Sequence, residues 1–263
     1  MTGAALVTGG GKRLGAAMAL YLARRGYDVA VHYHASPDAA DDVVAQIKAT
    51  GCQAVSIGAD LLDEGATAAL LPEASRLLGQ PITVLVNNAS IFEYDTIRSA
   101  TRESWDRHIG SNLRAPFVLT QALAAQVPEP VPDDQGEPMA QGLVVNMLDQ
   151  KVRKLTPEHM TYTIAKMGLW TLTRTAAQGL APCVRVNGIG PGPTLQGARQ
   201  PDHHFAGQRR NTLLQRGSNP DDITAALGFF LDSPGVTGQC ICVDGGQHLN
   251  WQTPDEMGIG AQD

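Results

Sequence analysis

A tyrosine and a lysine four residues apart, Tyr162 and Lys166, have the types and the spacing to do chemistry. Residues at this spacing lie on one face of a helix. An ammonium group near a phenol favours the phenolate and lowers the pKa of the phenol. The pair therefore predicts a tyrosine that passes a proton to or from a substrate near neutral pH. The alternative interpretation is an ordinary helix surface.

An aspartate, Asp149, precedes Tyr162 by 13 residues. A carboxyl group accepts hydrogen bonds from N–H or amino groups, and in its protonated form it can supply a proton through Tyr162. Lys166 would lower the pKa of this carboxyl and burial would raise it, and the sequence does not decide between them. We expect Asp149 and Tyr162 to form a coupled donor pair, with Lys166 as electrostatic support. The alternative is that Asp149 only caps the loop after a strand.

The segment VTGGGKRLG (7–15) joins a predicted strand to a predicted helix. Glycines let the backbone approach a pyrophosphate, and the start of the helix offers N–H groups and the positive end of its dipole. Arg13 stands between Gly9 and Gly15, in a place where such loops usually have a glycine. The segment predicts a nucleotide-binding loop with a guanidinium near the phosphates, where Arg13 could bridge phosphate and substrate. A plain turn is the alternative.

The end of the second predicted strand distinguishes the two nicotinamide cofactors. Proteins that bind NAD place an acidic residue there, which binds the ribose 2′-hydroxyl. Here the polar residues are His32, Tyr33, His34 and Ser36, with no carboxylate among them. A 2′-phosphate would meet hydroxyl, imidazole and helix-start N–H groups, so we predict NADPH. The alternative is that the histidines only end a strand.

Alternating apolar runs and helical patterns must position these residues. Strands are predicted at 4–8, 28–33, 53–60, 82–90, 142–147, 183–192 and 239–246. Helices are predicted at 13–25, 101–126, 157–181 and 220–232. Two more helices are predicted, one that begins at Pro37 after a cap at Ser36 and one that ends at Leu78. This alternation indicates the α/β class, with a parallel sheet wound by right-handed crossovers. Single α/β domains often reach this length, so we predict one domain over residues 1–263.

Two segments interrupt the alternation. Residues 127–142 are proline-rich and acidic, and they predict a surface loop. Residues 193–215 are polar and irregular and follow a strand at the expected ligand end of the sheet. A long loop there predicts a substrate lid, with a solvated connection as the alternative.

Composition and charge exclude several classes of protein. The net charge of -6 and the pI near 5.6 argue against a nucleic-acid partner. We find no run of about 18 apolar residues for a membrane span and no signal peptide at the N-terminus. No metal site is expected, because His203 and His204 are adjacent and lack partners at ligand spacing. The four cysteines have no CxxC spacing, which predicts reduced thiols in a cytoplasmic protein.

An ordered set of motifs resembles the short-chain dehydrogenase/reductase family over nearly the whole chain. The motifs are TGGGKRLG, ADL, NNAS, SNL, YTIAK, VNGIGPG and VDGG. The resemblance implies a Rossmann-type, doubly wound parallel sheet of seven strands, matching the seven apolar runs, and commonly a homotetramer. It implies that Tyr162 is the acid, that Lys166 binds the nicotinamide ribose and that Asn112 supports a proton-relay water. It also implies cofactor contacts at Asp60, Leu61, Asn88 and Ala89, and at Leu14, Ser90, Pro191, Gly192 and Thr194.

The family usually has a serine where this sequence has Asp149. With this aspartate, the sequence resembles the pteridine reductases and the bacterial dihydromonapterin reductases. The segments TGGGKRLG, VHYHAS and NNASIF resemble the corresponding segments of those enzymes. This resemblance implies NADPH-dependent reduction of a C=N bond in a dihydropterin, with hydride going to carbon and a proton to nitrogen. It implies that Phe92 and the nicotinamide sandwich the substrate ring; the alternative is that Phe92 is a core aromatic. The substrate-binding residues are then Arg13, Ser90, Phe92, Asp149 and Tyr162.

Two other functions fit the same sequence. One is a short-chain reductase of another carbonyl compound, such as a 3-oxoacyl thioester or a sugar. An acyl-carrier-protein partner would require a basic patch, for which Arg209 and Arg210 are sparse candidates. The other is an NADP-sensing regulator without turnover, against which the presence of Tyr162, Lys166 and Asn112 argues.

Overall fold

A computed structural model describes residues 3–197 and 200–253 of the chain. The strands are β1 (Ala4–Val7), β2 (Asp28–Tyr33), β3 (Ala54–Gly58), β4 (Ile82–Asn87), β5 (Val131–Pro132), β6 (Pro138–Met139), β7 (Gly142–Met147), β8 (Val184–Pro191) and β9 (Cys240–Val243). The helices are α1 (Arg13–Arg24), α2 (Pro37–Lys48), α3 (Glu64–Leu78), α4 (Arg102–Ile109), α5 (Ala115–Ala124), α6 (Met160–Leu180), α7 (Asp202–Arg210) and α8 (Pro220–Asp232). The described main sheet has seven parallel strands in the order β3-β2-β1-β4-β7-β8-β9.

This architecture confirms the predicted α/β class and the single, doubly wound Rossmann-type domain. Successive residues of a strand point to opposite faces of the sheet. In β1, Ala5 and Val7 accordingly pack in one core cluster with α1, α2 and α8. Ala4 and Leu6 pack in the other cluster with α3, α5 and α6. Burial on both faces explains why the strands read as nearly continuous apolar runs.

The position of the site follows from the strand order. β1 pairs with β2 on one side and with β4 on the other. Strands β2 and β3 are added to one side of β1 and the later strands to the other side, so the strand order reverses at β1. In open α/β sheets, ligands bind in the crevice outside the carboxyl ends of the strands at such a reversal. The loops that follow β1, β4, β7 and β8 therefore form the candidate site.

Two predicted helices differ in detail from the structure. The helix predicted over 101–126 is interrupted by a π-helical turn at Gly110–Arg114, which separates α4 from α5. The helix predicted from residue 157 begins at Met160, because His159 has a left-handed backbone with φ 53° and a 3-10 turn occupies Gln150–Val152. Both irregularities lie beside the candidate site.

The segment 193–215 is not irregular throughout, and that expectation is corrected. It contains α7, which buries none of its residues and therefore shows no apolar periodicity in the sequence. Arg209 holds this helix in place by donating to Pro193 O at 2.9 Å and to Ser218 O at 2.6 Å. The role of the segment as a substrate lid stays a prediction.

The segment 127–142 contains the antiparallel pair β5 and β6, and residues 131–138 between and within these strands are all exposed. Asp133 accepts the N–H groups of Gln135 and Glu137, which closes the turn. None of the described helices is both long enough and apolar enough to cross a bilayer.

Candidate active site

The glycine loop between β1 and α1 is shaped by close backbone contacts. A Cβ atom at Gly15 would lie 2.6 Å from Nδ2 of Asn88, and it would also collide with the carbonyl of Gly9. Gly9 itself has φ +60°, in the left-handed region that favours glycine. Asn88 Nδ2 donates to Thr8 O at 2.9 Å and to Gly9 O at 3.2 Å, so its amide fixes the loop. The loop and the start of α1 together fit a bound dinucleotide.

His32 holds this loop from the side of β2. Its ring is 1% exposed, and Nδ1 accepts the N–H of Gly9 at 3.0 Å. Nε2 lies 3.1 Å from Ala59 O, and since a carbonyl only accepts, Nε2 carries the hydrogen. Burial lowers the pKa of His32, which keeps the ring neutral as this arrangement requires. The expectation that the His32 ring meets a cofactor phosphate is therefore corrected: both ring nitrogens serve the protein.

The polar groups at the end of β2 form an exposed cluster. Lys12 Nζ donates to Ser36 Oγ at 2.8 Å, and His34 Nδ1 lies 3.8 Å from Asp60 Oδ1. Lys12 was missed by sequence reasoning, although it stands directly beside Arg13 in the glycine loop. An ammonium and a hydroxyl group thus lie where a 2′-phosphate was expected.

A cavity of about 510 Å³ opens along the glycine loop. Its lining includes ten of the predicted cofactor residues: Gly9, Arg13, Leu14, Gly15, Asn88, Ala89, Ser90, Pro191, Gly192 and Thr194. Residues that were not predicted also line it, namely Lys12, Pro193, Leu195, Gln200, Phe205 and Gln208. The other expected cofactor residues lie outside this lining, namely His32, Tyr33, His34, Ser36, Asp60, Leu61, Tyr162 and Lys166.

Arg13 connects the glycine loop to the segment after β8. Its guanidinium donates from one terminal nitrogen to Gln196 O at 2.7 Å and from the other to Leu195 O at 3.0 Å. The backbone of Arg13 has φ 53°, the left-handed conformation that the sequence pattern normally gives to glycine. Arg13 lines the first cavity and is not in the lining of the second, so its predicted substrate contact stays a prediction.

Asp149, Tyr162 and Lys166 come together at the end of β7. Tyr162 Oη donates to Asp149 Oδ2 at 2.8 Å. Lys166 Nζ donates to Met147 O at 2.7 Å and lies 5.6 Å from the centre of the Tyr162 ring. Asp149 Oδ1 also accepts the N–H of Lys151 at 2.8 Å, so the carboxylate caps the 3-10 turn as well as contacting the tyrosine.

Burial decides the electrostatics of this group. It raises the pKa of Asp149 against the lowering effects of the Lys151 N–H, of Tyr162 and of Lys166. Burial and the neighbouring Asp149 raise the pKa of Tyr162 well above its usual value. The expectation of a lowered Tyr162 pKa is therefore wrong for this structure, because the pKa is raised and Tyr162 holds its proton. Burial also lowers the pKa of Lys166 to about 8.

Asn112 lies in the π-helical turn and is completely buried. Its Oδ1 accepts the N–H of Ile91 at 2.9 Å, and its Nδ2 donates to Ile91 O at 2.8 Å. The side chain thus fixes the loop after β4 through both ends of its amide. Its predicted support of a proton-relay water stays a prediction.

A second cavity of about 940 Å³ contains the Asp149–Tyr162 pair. It shares Pro191, Gly192, Pro193, Gln200 and Gln208 with the first. The rest of its lining is Phe92, Glu93, Tyr94, Asp149, Gln150, Lys151, His159, Tyr162, Gly197, Pro201, His204 and Gln247. Phe92 is 56% exposed, so it is not a core aromatic. Ser90, expected at the substrate, lines the first cavity instead.

Sequence reasoning missed most of the side chains around the second cavity. His159, Tyr94 and the glutamines stand on loops, on short 3-10 turns and on α7, where no apolar periodicity marks them. Within residues 3–197 and 200–253, no cluster of three or more His, Cys, Asp or Glu residues could hold a metal ion.

Together these features define an oxidoreductase of the Rossmann type. A family model described as Enoyl-(Acyl carrier protein) reductase matches residues 10–248. The curated 3-oxoacyl-(acyl-carrier-protein) reductase FabG of Staphylococcus aureus is 30% identical over 254 residues, which span 95% of this chain and 99% of that protein. The chain belongs to the short-chain dehydrogenase/reductase family, as its motifs predicted.

Solved structures with higher sequence identity come from two Brucella species. FolM alternative dihydrofolate reductase 1 of Brucella suis, in complex with NADP, is 41% identical. The match covers 95% of this chain and 97% of that chain, with a TM-score of 0.88. The corresponding protein of Brucella canis, complexed with NADP, is 40% identical over 96% of each chain, also with a TM-score of 0.88.

Proposed function

We propose that this protein reduces the C=N bond of a dihydropterin, as a pteridine reductase or dihydromonapterin reductase does. The observation that carries the proposal is the hydrogen bond from Tyr162 Oη to Asp149 Oδ2, at 2.8 Å, in a cavity that Phe92 also lines. A carboxyl group beside the proton donor suits a ring that carries N–H and amino groups. The exposed ring of Phe92 suits a flat aromatic partner.

The cofactor is NADPH, as the end of β2 predicted. The Brucella relatives hold NADP in their crystal structures. In this chain Lys12 and Ser36 supply an ammonium and a hydroxyl group at the end of β2, where binding of NAD would call for a carboxylate. The residues that line the first cavity would hold the cofactor.

Bound NADPH supplies the hydride that the substrate carbon receives. The protein must deliver one proton to the neighbouring nitrogen, and the raised pKa of Tyr162 means that the phenol still carries its proton at neutral pH. Asp149 accepts from that phenol, and burial raises the pKa of its carboxyl group. In this proposal Asp149 relays a proton from solvent to Tyr162 after the transfer, which restores the phenol. Lys166, in its charged form, offsets the negative charge that the departing proton leaves behind.

The chemical character of the second cavity favours a heterocycle over an acyl chain. Amide side chains line it at Gln150, Gln200, Gln208 and Gln247, together with the imidazole of His204 and the charged groups of Glu93, Asp149 and Lys151. Such groups recognise ring nitrogens, amino groups and carbonyl oxygens, whereas an acyl chain gains most from an apolar channel. The two Brucella FolM proteins are also more similar to this chain than FabG is, at 41% and 40% against 30% identity.

A second candidate function is reduction of a 3-oxoacyl thioester, which the similarity to FabG favours. An acyl carrier protein is acidic and would need a basic docking patch near the site. The guanidinium of Arg209 instead donates to the carbonyls of Pro193, Ser218 and Gly217. Because these bonds hold α7, Arg209 is not a free cation for a partner. Of the two predicted cations only the exposed Arg210 is left for a docking patch, and this candidate takes second place.

We further propose that the protein works as a homotetramer in the cytoplasm. The family resemblance supports the tetramer, and Trp105, Phe117 and Ile164 leave apolar surface exposed on α4, α5 and α6. All four cysteines are free thiols, which fits a reducing compartment. Sedimentation velocity of the purified protein tests the assembly, and a monomer would contradict it.

The test of the reaction is NADPH oxidation with dihydrobiopterin and dihydromonapterin as substrates. We expect turnover by the wild type and a loss of at least about hundredfold in kcat for Asp149→Ser. Asp134→Asn, on the exposed turn between β5 and β6, is the matched control and should behave as wild type. Tight NADPH binding without turnover of any pterin, together with turnover of a 3-oxoacyl thioester, would replace this proposal with the second candidate.

A further inference from the structure

His159 stands at the start of α6 and has no role in the chemistry described above. Its ring stacks on Phe92, with centroids 4.1 Å apart and an interplanar angle of 14°. Its Nδ1 lies 3.1 Å from Glu93 O, and because a carbonyl only accepts, Nδ1 is the donor. The imidazole is therefore fixed by one hydrogen bond to Glu93 O, by the stack on Phe92 and by the ring of Tyr94, which meets it edge-on with centroids 5.3 Å apart; all three contacts come from the loop after β4.

The backbone at His159 makes this contact possible. Its φ of 53° is left-handed, an uncommon conformation for a residue other than glycine, asparagine or aspartate. The carbonyl of His159 accepts the N–H of Thr163 at 2.8 Å, in the first turn of the helix that carries Tyr162. One residue thus starts the catalytic helix and at the same time carries the ring that lies on Phe92.

Phe92 is consequently held on two sides. His159 covers one face of its ring, and Tyr162 meets it nearly at right angles, with centroids 4.7 Å apart and an interplanar angle of 79°. Phe92 is nevertheless 56% exposed and lines the second cavity, so part of its ring surface is accessible there. A flat substrate ring that stacks on this surface lies parallel to the Phe92 ring, whose plane His159 fixes.

We propose that His159 is a positioning residue that fixes the plane of Phe92 and thereby selects planar ring substrates over acyclic carbonyl compounds. The identity of the ring as a pterin rests on the proposed function; the fixing of Phe92 does not. The selection acts through ground-state binding, because the contacts of His159 lie on the wall of the cavity and not on the proton-donating pair.

Three substitutions separate the hydrogen bond of His159 to Glu93 O from its stack on Phe92. His159→Asn keeps a donor for Glu93 O and tolerates the left-handed backbone, but it removes the stack. His159→Phe keeps the stack and removes the donor. His159→Ala removes both. Thermal unfolding of each variant, in complex with NADP, identifies any that fails to fold, and the asparagine variant remains informative where phenylalanine is strained.

We expect the KM for a dihydropterin to rise roughly three- to tenfold in the alanine and asparagine variants, the range that one aromatic pair supports. In the phenylalanine variant KM should stay close to wild type, and kcat should change little in all three. The KM for an acyclic 3-oxoacyl thioester or small ketone should be the same in wild type and variants. Calorimetric titration of oxidised biopterin into the NADP-loaded protein should show the same order of affinities.

Two results would overturn the inference. One is a wild-type enzyme that turns over a dihydropterin while His159→Ala does so with unchanged KM. The other is a crystal structure of His159→Ala with NADP in which the Phe92 ring keeps its plane. The second result is independent of the substrate, so failure of the pterin proposal and failure of the role of His159 are distinguishable.

Discussion

The cofactor half and the substrate half of the crevice are built in different ways. The cofactor half is mostly backbone: Gly9 and Gly15 leave no room for side chains, and His32 and Asn88 hold the loop by its main-chain atoms. The substrate half is made of side chains from loops, from short 3-10 turns, from α6 and from α7, mostly amides, imidazoles and aromatic rings. A substitution in the first half therefore disturbs a shape, whereas one in the second half changes a chemical group.

The largest effect is expected at Tyr162, the proposed proton donor in the substrate half. Tyr162→Phe removes the phenolic hydroxyl and should lower kcat about 10²- to 10⁴-fold, because the proposed proton donor is lost. The dissociation constant of NADPH should stay within about twofold, since the first cavity is unchanged. Steady-state kinetics and fluorescence titration measure the two quantities.

Tyr94→Phe is the matched control for this change. Tyr94 lines the same cavity and loses the same hydroxyl, but it has no contact with Asp149 among those described. Its kcat should stay within about twofold of wild type. A loss of NADPH affinity in Tyr162→Phe as large as its loss of kcat would show that the two halves are not separable.

Gly15→Ala tests the backbone half. The new Cβ would lie 2.6 Å from Nδ2 of Asn88, so the loop must move, and we expect a loss of about 1–3 kcal/mol in the free energy of unfolding. Affinity for NADPH should fall with it. Urea unfolding and NADPH titration measure both.

Gly179→Ala is its control, because a Cβ at this position of α6 has no atom within 4 Å. Alanine there should stabilise the protein by about 0.5–1 kcal/mol, the difference in helix propensity between the two residues. Equal effects at the two glycines would remove the close-contact explanation of the cofactor loop.

The pH dependence of activity should report Lys166. Burial lowers its pKa to about 8, so the cation is present below that pH and is lost above it. We expect kcat/KM for the dihydropterin to fall about tenfold per pH unit above that point, because the charge that supports proton release is gone. Lys166→Arg should retain the charge and move this decline to higher pH. A wild-type profile that stays flat through this range would contradict the assignment.

The smallest effect concerns His32. The pKa of His32 is lowered from 6.5 in the folded protein. Below pH 6.5 the unfolded chain therefore binds the proton more readily, and the free energy of unfolding decreases as the pH is lowered. His32→Asn should cost about 1–2 kcal/mol above pH 6.5, from the two hydrogen bonds, and the gap to wild type should narrow below it. Urea unfolding across this range measures the gap. A constant gap would show that the ring is not held neutral by the loop.

The two halves also differ in how far the sequence predicts them. Gly15 and the spacing of Tyr162 and Lys166 are fixed by backbone geometry, and such constraints restrict residue type strongly enough to be read without a structure. The strand ends that carry them follow from apolar runs that are buried on both faces.

Other features depend on contacts between residues distant in sequence. α7 buries nothing, so its helix leaves no periodic signal. His159 stacks on Phe92 because its own backbone is left-handed, and no local sequence pattern indicates that conformation. The pKa of Tyr162 moves opposite to the expectation from Lys166 alone, because burial and the neighbouring Asp149 both raise it. These properties arise only when the chain is folded.

The wall between the two cavities has a thermodynamic consequence. Pro191, Gly192, Pro193, Gln200 and Gln208 border both volumes, so a molecule in either one contacts the same stretch of chain. We predict that occupancy on one side biases the conformations available on the other, and such heterotropic coupling is reciprocal. The dissociation constant of the substrate measured without cofactor should therefore differ from the one measured with cofactor bound, and the same ratio should apply to the dissociation constant of the cofactor.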